Sequence, residues 1–311
     1  MRVTAQLVDA LTGYHLWSET YDRNLKDIFA IQDEISMKIL TAMQVKLTSG
    51  ERARLIGKGT KNLKAYLKFL EGQEQSWRLN KEANFRAKQL FEEAIALDSD
   101  FGLAYGYLGY CHFFDAMYGW SKSPPKSMQR ALELAEKALS LDDSQPYSYT
   151  LITIIYMLQR QHVKAIAKAE QAVELGPNLD ITIFTLGWAL RCAGRPEEGI
   201  PLLRKALRLD PIPHVARIDA LGRAYFLSGR YEEAIAAYRK AVDVDPGFLD
   251  AHVGLASTYA ILGREEEART EVAEILRIEP MFSIKKYAKL MHFQVGIEPE
   301  IEGLRKARLP E

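Results

Sequence analysis

The residues that could do chemistry are few, and their spacing is wrong for it. Leu55-Ile-Gly-Lys-Gly-Thr-Lys61 sets Lys58 between two glycines, which suggests a loop that cradles phosphate. Such a loop needs Gly, four residues, then Gly-Lys-Ser/Thr, so that its backbone N–H groups converge on the phosphates. Here Gly50 stands too far before Gly57, and Gly59 takes the place of the hydroxyl residue. A flexible joint is the expected reading. The six histidines, at 15, 112, 162, 214, 252 and 292, include no His-Glu-x-x-His, and none pairs with a cysteine at ligand spacing. No metal is therefore expected. Cys111 and Cys192 are too few for a disulfide framework. His112 beside Cys111 is explained by ring packing. Glu232 and Glu233 could pose as an acid/base pair, but the same pair recurs elsewhere, which points to helix-start electrostatics. No Gly-x-Ser-x-Gly elbow occurs. The sequence predicts no catalytic residue, no cofactor and no enzyme in this chain.

The elements behind those residues are repeats. Gly194-Arg-Pro-Glu-Glu-Gly199, Gly229-Arg-Tyr-Glu-Glu-Ala234 and Gly263-Arg-Glu-Glu-Glu-Ala268 start 35 and 34 residues apart. Downstream of each come Ala206, Ala241 or Ile275, then Pro211, Pro246 or Pro280. Each unit makes sense as two antiparallel helices. Ile218, Leu221, Gly222 and Tyr225 recur at helical spacing, as do Ala234, Ala237, Tyr238 and Ala241. Gly229 suits a left-handed residue after the first helix. Glu232 and Glu233 favour the start of the second, and Pro246 stops it.

A 34-residue helix-turn-helix with a small residue at its eighth position, Ala at the twentieth and twenty-seventh, and Pro at the thirty-second resembles the tetratricopeptide repeat (TPR). Six units are expected: 61–99, 101–145, 146–179, 180–213, 215–248 and 249–282. The second carries about ten extra residues, Ala116-Met-Tyr-Gly-Trp-Ser-Lys-Ser-Pro-Pro125, read as an extended first helix and a Pro-terminated loop. The resemblance implies an all-α fold, a right-handed α-α superhelix.

The first 60 residues do not repeat. Residues 2–9 and 14–21 alternate and predict a β-hairpin, with 1–23 as the end of an α/β domain. Residues 24–60 predict a long connecting helix, about 25–47, and a joint, with a short helix near 51–56. Its apolar side is Leu25, Ile28, Phe29, Ile31, Ile35, Ile39, Met43 and Leu47. An isolated hairpin is marginal in water, so the chain is expected to be a piece of a larger protein. The segment from Arg2 to Glu34 resembles the link between a TolB-like domain and repeats in bacterial multidomain proteins, among them class III adenylate/guanylate cyclase homologues and CadC-like transcriptional regulators. Residues 302–311 resemble the tail of the cyclase-linked group. Residues 283–293 and 298–308 read as helices capping the open edge of repeat six.

In the family, certain first-helix positions line the groove of the superhelix. Carried over, they nominate Tyr110, Phe114, Tyr147, Ile154, Phe184, Trp188, Arg191, Arg223 and Phe226 as a partner-binding groove. Aromatics interspersed with Arg suit a protein partner, either a peptide or a helix laid into the groove. The same aromatics could equally pack between helices. The groove could also be filled in part by the chain's own helix 25–47. A rival reading makes the hairpin edge, with Val3, Leu7 and Trp17, a homodimer contact. A third places this chain in a nucleotide cyclase whose catalytic domain lies elsewhere.

Composition agrees with a scaffold. Lys+Arg and Asp+Glu are 41 each in 311 residues, which argues against a binder of nucleic acid or of a membrane surface. No run of 18 apolar residues predicts a membrane span. Without a secretory leader, and with two cysteines, a cytoplasmic setting is expected.

Overall fold

The structure is a computed structural model that describes residues 2–8, 15–24, 31–32, 34–35, 38, 59–76, 78–210 and 212–311. Two strands, β1 (Arg2–Val8) and β2 (His15–Asp22), precede the helices. The first four helices are α1 (Leu63–Ser76), α2 (Lys81–Leu97), α3 (Gly102–Met117) and α4 (Pro124–Leu141). Then come α5 (Pro146–Leu158), α6 (His162–Leu175), α7 (Asp180–Cys192) and α8 (Pro196–Leu209). The last six are α9 (Val215–Leu227), α10 (Tyr231–Val244), α11 (Leu249–Ile261), α12 (Glu265–Ile278), α13 (Ile284–Leu290) and α14 (Glu298–Lys306). The chain forms two compact units, 1–148 and 149–311, divided inside α5.

In the first unit, β1 and β2 pair antiparallel, with Val3 opposite Tyr21 and Leu7 opposite Trp17. Tyr21 is buried, as is Ile31 on the helical residues that follow. Lys38 pairs with Glu19 and with Glu34 at 3.1 Å. The expected helix 25–47 is helical at 31, 32, 34, 35 and 38. Its remaining residues, the short helix near 51–56 and Leu55–Lys58 lie outside the described residues.

The end of the expected joint is tied down by its polar side chains. Asn62 caps α1, its Oδ1 accepting from the Lys64 and Ala65 amides at 3.0 and 3.2 Å. Its Nδ2 donates to the Leu97 carbonyl at 2.7 Å, and Thr60 donates to Asp98. Thr60 is thus used to hold the loop to α2. Asn80 caps α2 by accepting from the Ala83 amide at 3.0 Å, the bond that the N-cap position demands.

Helix pairs α1/α2 and α3/α4 pack within themselves, and α2 packs on α3. The core between them is aromatic. Phe69 lies 5.7 Å from Phe91, 5.1 Å from Phe101 and 5.1 Å from Tyr107. Alanines 65, 87, 94 and 104 fill the gaps. Each such buried ring contributes roughly 1.5–3 kcal/mol. The extra residues of the second repeat behave as their composition predicts: α3 runs to Met117, and Pro124 opens α4.

In the second unit, α7/α8, α9/α10 and α11/α12 form pairs, and α6 packs on α7, α8 on α9 and α10 on α11. Gly194, Gly229 and Gly263 take φ of +79°, +71° and +72° after the first helix of their pairs. The matching place after α5 holds Arg160, at φ +61°. The Arg-Glu motif behind each glycine closes on itself. Arg195 bonds Glu198, Arg230 bonds Glu233, and Arg264 bonds Glu267, at 2.6–2.9 Å. Neighbouring repeats meet closely at Tyr238, which is fully buried. A Cβ on Gly222 of α9 or Gly254 of α11 would lie 2.6 or 2.4 Å from its ring.

Two substitutions test these backbone arguments by chemical denaturation. Arg160→Gly relieves a left-handed non-glycine residue and is expected to stabilise by about 1 kcal/mol. Gly254→Ala forces the Tyr238 ring out of a filled space and is expected to cost about 1–3 kcal/mol.

Candidate functional site

The groove residues named from sequence divide between the two units and meet different fates. In the first unit, Tyr110, Phe114, Tyr118 and Trp120 form a continuous row of rings. Their successive centroids are 6.2, 6.0 and 5.0 Å apart. Tyr110, Phe114 and Trp120 are half-buried, whereas Tyr118 and Met117 are exposed. Phe113, adjacent to Phe114 at 5.6 Å, is buried. Tyr147 is half-buried and accepts from the Tyr110 hydroxyl at its backbone carbonyl, 3.2 Å away. The row stands on a rigid base. On α2, Asn84 donates to Asp115 at 2.8 Å and to the Cys111 carbonyl at 3.0 Å, and Lys88 pairs with Asp115. These bonds fix α3 against α2 behind the rings. The sequence pattern did not single out Tyr118 and Trp120, because they lie in the insertion beyond the repeat.

In the second unit, Ile154 and Phe184 are half-buried on α5 and α7. Arg217 lies over the Phe184 ring at 5.3 Å and pairs with Asp180 and, at 2.9 Å, with Asp210. Arg191, Arg223 and Phe226 do not line an open groove: each is buried, at 2%, 4% and 3% exposure. Phe226 packs edge-on to Tyr231 at 5.6 Å, inside its own helix pair. The two arginines are covered by the C-terminal segment. That segment does not merely cap repeat six. It runs along the first helices of repeats four, five and six, and Lys306–Arg308 line a pocket with Glu265, Ala268 and Arg269 of α12.

One repeat position receives it throughout. Trp188, Arg223 and Ser257 occupy the same place in three successive first helices, spaced as the glycines are. Trp188 meets the Phe293 ring at 6.0 Å. Arg223 donates to the Tyr287 hydroxyl at 2.6 Å and to Glu300 at 3.1 Å. Ser257 donates to the Glu300 carbonyl at 3.0 Å, and Gly303 passes close against it. Arg191 donates to Gln294, and the Cys192 carbonyl accepts from the Val295 amide at 2.8 Å. The segment turns at Gly296, at φ +76°. The Ile284 amide donates to the Pro310 carbonyl at 2.8 Å and closes its two ends together.

The floor of this seat is a buried charge network. Arg223 bonds Asp219 at 3.0 Å and lies 3.5 Å from Asp250, besides reaching Glu300. Burial works against the charge on Arg223, but Glu300, Tyr287, Asp219 and Asp250 outweigh it and hold the guanidinium protonated. Burial pushes Asp219 up to about 6, although Arg223 pulls it down. Burial likewise raises the Tyr287 and Tyr238 phenols. Among the described residues, Arg191 Nε, Asp219 Oδ1, Arg223 Nη2 and Tyr238 OH have no hydrogen-bond partner. Each such atom costs about 1–3 kcal/mol of desolvation.

The cysteines and His252 are held in structural places. Burial pushes the Cys111 thiol up to about 12 and raises Cys192 as well. His252 is held between Glu271 at 2.6 Å and the Pro246 carbonyl at 3.1 Å, which ties α11 to α12. Among the described residues, no three His, Cys, Asp or Glu side chains are grouped to hold a metal, and no helix is long and apolar enough to cross a membrane. The hairpin residues Val3 and Trp17 are half-buried; the side chain of Leu7 lies outside the described residues.

The chain is an all-α repeat protein with an N-terminal β-hairpin, and its helix pairs resemble tetratricopeptide repeats. The family model described as "TPR repeat" matches residues 222–263. The chain is 33% identical over 161 residues to putative adenylate cyclase 3 of Rhizobium meliloti (strain 1021), which covers 51% of this chain and 27% of that protein. It is 28% identical over 141 residues to the transcriptional regulator HilA of Salmonella typhimurium, covering 45% of this chain and 25% of the regulator. The chain thus spans about a quarter of the length of these curated relatives. Among solved structures, it resembles the APC/C hetero-tetramer Cut9-Hcn1 with a TM-score of 0.57 at 17% identity, over 84% of this chain and 53% of that one. It resembles pilF of Pseudomonas aeruginosa with a TM-score of 0.54 at 16% identity, over 73% and 96%.

The Asp219 site gives a signed pH test. The fold favours the neutral acid, so its contribution is present below 3.8 and is lost as the pH rises through about 6. Asp219→Asn is expected to remove that loss. Its stability relative to the native chain should increase between pH 4 and about pH 7, as followed by denaturant midpoints.

Proposed function

We propose that this chain is a non-catalytic protein-interaction scaffold, the regulatory part of a larger bacterial signalling protein. The observation that carries this reading is the ring row Tyr110–Phe114–Tyr118–Trp120, which lies at the surface on a braced helix. Half-exposed aromatics on a rigid support are what a protein partner uses as anchors. They offer large contact area with few rotatable bonds, so little entropy is lost on binding.

The two curated relatives support the regulatory half of the proposal. One is named as a cyclase and the other as a transcriptional regulator, yet each shares a region with this chain. That proteins named for different outputs each share a stretch with this chain suits input or assembly better than catalysis. A second reading, favoured by the 33% identity to the cyclase, makes the parent protein a nucleotide cyclase whose catalytic domain lies elsewhere. A cytoplasmic setting goes with either reading.

The test is capture of partners from a bacterial lysate by the full chain. Tyr110→Ala/Phe114→Ala should lose at least about 2 kcal/mol of binding to a specifically captured protein, as removal of anchor residues does. Val163→Ala, on the exposed side of α6, should leave capture unchanged. Equal capture by all three proteins would remove the ring row from the binding site.

A further inference from the structure

The C-terminal segment contacts its own repeats in the way a ligand would. A cover over the open edge of a repeat stack needs only apolar side chains. Residues 283–311 instead bring a carboxylate, a phenol and an amide against two arginines: Glu300 and Tyr287 on Arg223, and Gln294 on Arg191. Three of its contacts fall at one repeated helix position, Trp188, Arg223 and Ser257. That regularity belongs to a receptor surface built by repetition.

The fit is incomplete. Arg191 Nε and Asp219 Oδ1 have no hydrogen-bond partner, so an occupant with further donors and acceptors would satisfy this face better. The segment is also lightly built. Its helices have 7 and 9 residues, joined through Gly296. It leaves repeat six beside Met281, which is 72% exposed.

Building on the scaffold reading above, we infer that the first-helix face of repeats four to six is a second binding site. Its partner is a short segment that sets an aromatic ring on Trp188 and a carboxylate on Arg223. Residues 283–311 keep that site closed by making the same contacts, so partner binding and tail docking are competitive.

The probe is a labelled synthetic peptide of residues 283–311, offered to the full-length chain. Cys192 reports the state of the face, since its carbonyl bonds Val295 and its side chain packs with Phe293 in one cluster. In the native chain, Cys192 should label slowly with a thiol reagent, and the peptide should not bind. In the Phe293→Ala/Glu300→Ala chain, Cys192 should label about tenfold faster or more, and the peptide should bind and slow that labelling again. A peptide with the same two alanines should bind about tenfold more weakly or worse, which corresponds to about 1.4 kcal/mol.

A second arm avoids changes within the seat. A protease site inserted at Met281 lets the folded chain be cut, after which the labelled peptide should exchange for the cut tail. Two results would overturn the inference. One is a helical, folded variant whose Cys192 labels as slowly as in the native chain. The other is a cut chain that never takes up the peptide. Either would make the tail a fixed part of the fold while leaving the capture test at Tyr110 and Phe114 unaffected. Loss of that capture result would, in turn, leave peptide exchange at repeats four to six intact.

Discussion

No helix pair of this length can bury its apolar faces alone, and that constraint organises the chain. Each pair exposes one apolar side until a neighbour covers it, so stability grows by stacking. The contact at Tyr238 shows how closely the neighbours must approach. Its ring fills the gap between Gly222 in its own repeat and Gly254 in the next. The alanines at 65, 87, 94, 104, 234 and 241, all buried, serve the same end with a smaller saving in distance. In repeats four, five and six a glycine after the first helix lets the chain reverse in three residues, and the Arg-Glu pair behind it fixes the start of the return helix.

A second constraint acts where charge enters the stack. Arg223 stands at a place where repeat four has Trp188 and repeat six has Ser257. Burying its guanidinium requires acceptors: its own helix supplies Asp219, and α11 supplies Asp250 at 3.5 Å. The C-terminal segment completes the set with Glu300 and Tyr287. Breaking a buried pair by removing one partner costs about 3–5 kcal/mol, so these few atoms weigh heavily in where the segment lies. The two units therefore present different surfaces. One carries aromatic rings toward solvent; the other has its equivalent face filled by its own chain.

Much of the architecture was legible in the residues because repeats write it many times. Gly194, Gly229 and Gly263, the Glu pairs behind them and Pro246 each state a helix boundary, and their spacing states the period. The phosphate-loop suggestion could be discounted from spacing alone, and Thr60 proves to be a tie to Asp98. Position lists borrowed from the repeat family were less informative about exposure. Phe226 and Tyr110 both sit on first helices, yet one packs on Tyr231 and the other lies half-exposed beside Phe114. Tyr118 and Trp120 escaped notice because they belong to an insertion that no repeat predicts.

By itself, then, the sequence determined the helix pairs, their period and the boundaries marked by Gly229, Glu232, Glu233 and Pro246. All of these are local, set by residues within a turn or two of one another or by a period that recurs. Only the tertiary structure decided what Arg191, Arg223 and residues 283–311 do. Arg223 and Glu300 meet across 77 residues, and Arg191 and Gln294 across 103. No periodicity encodes such a pairing, because it depends on how the stacked helices bring one repeated position into a line and on which segment of the chain is left to lie along it.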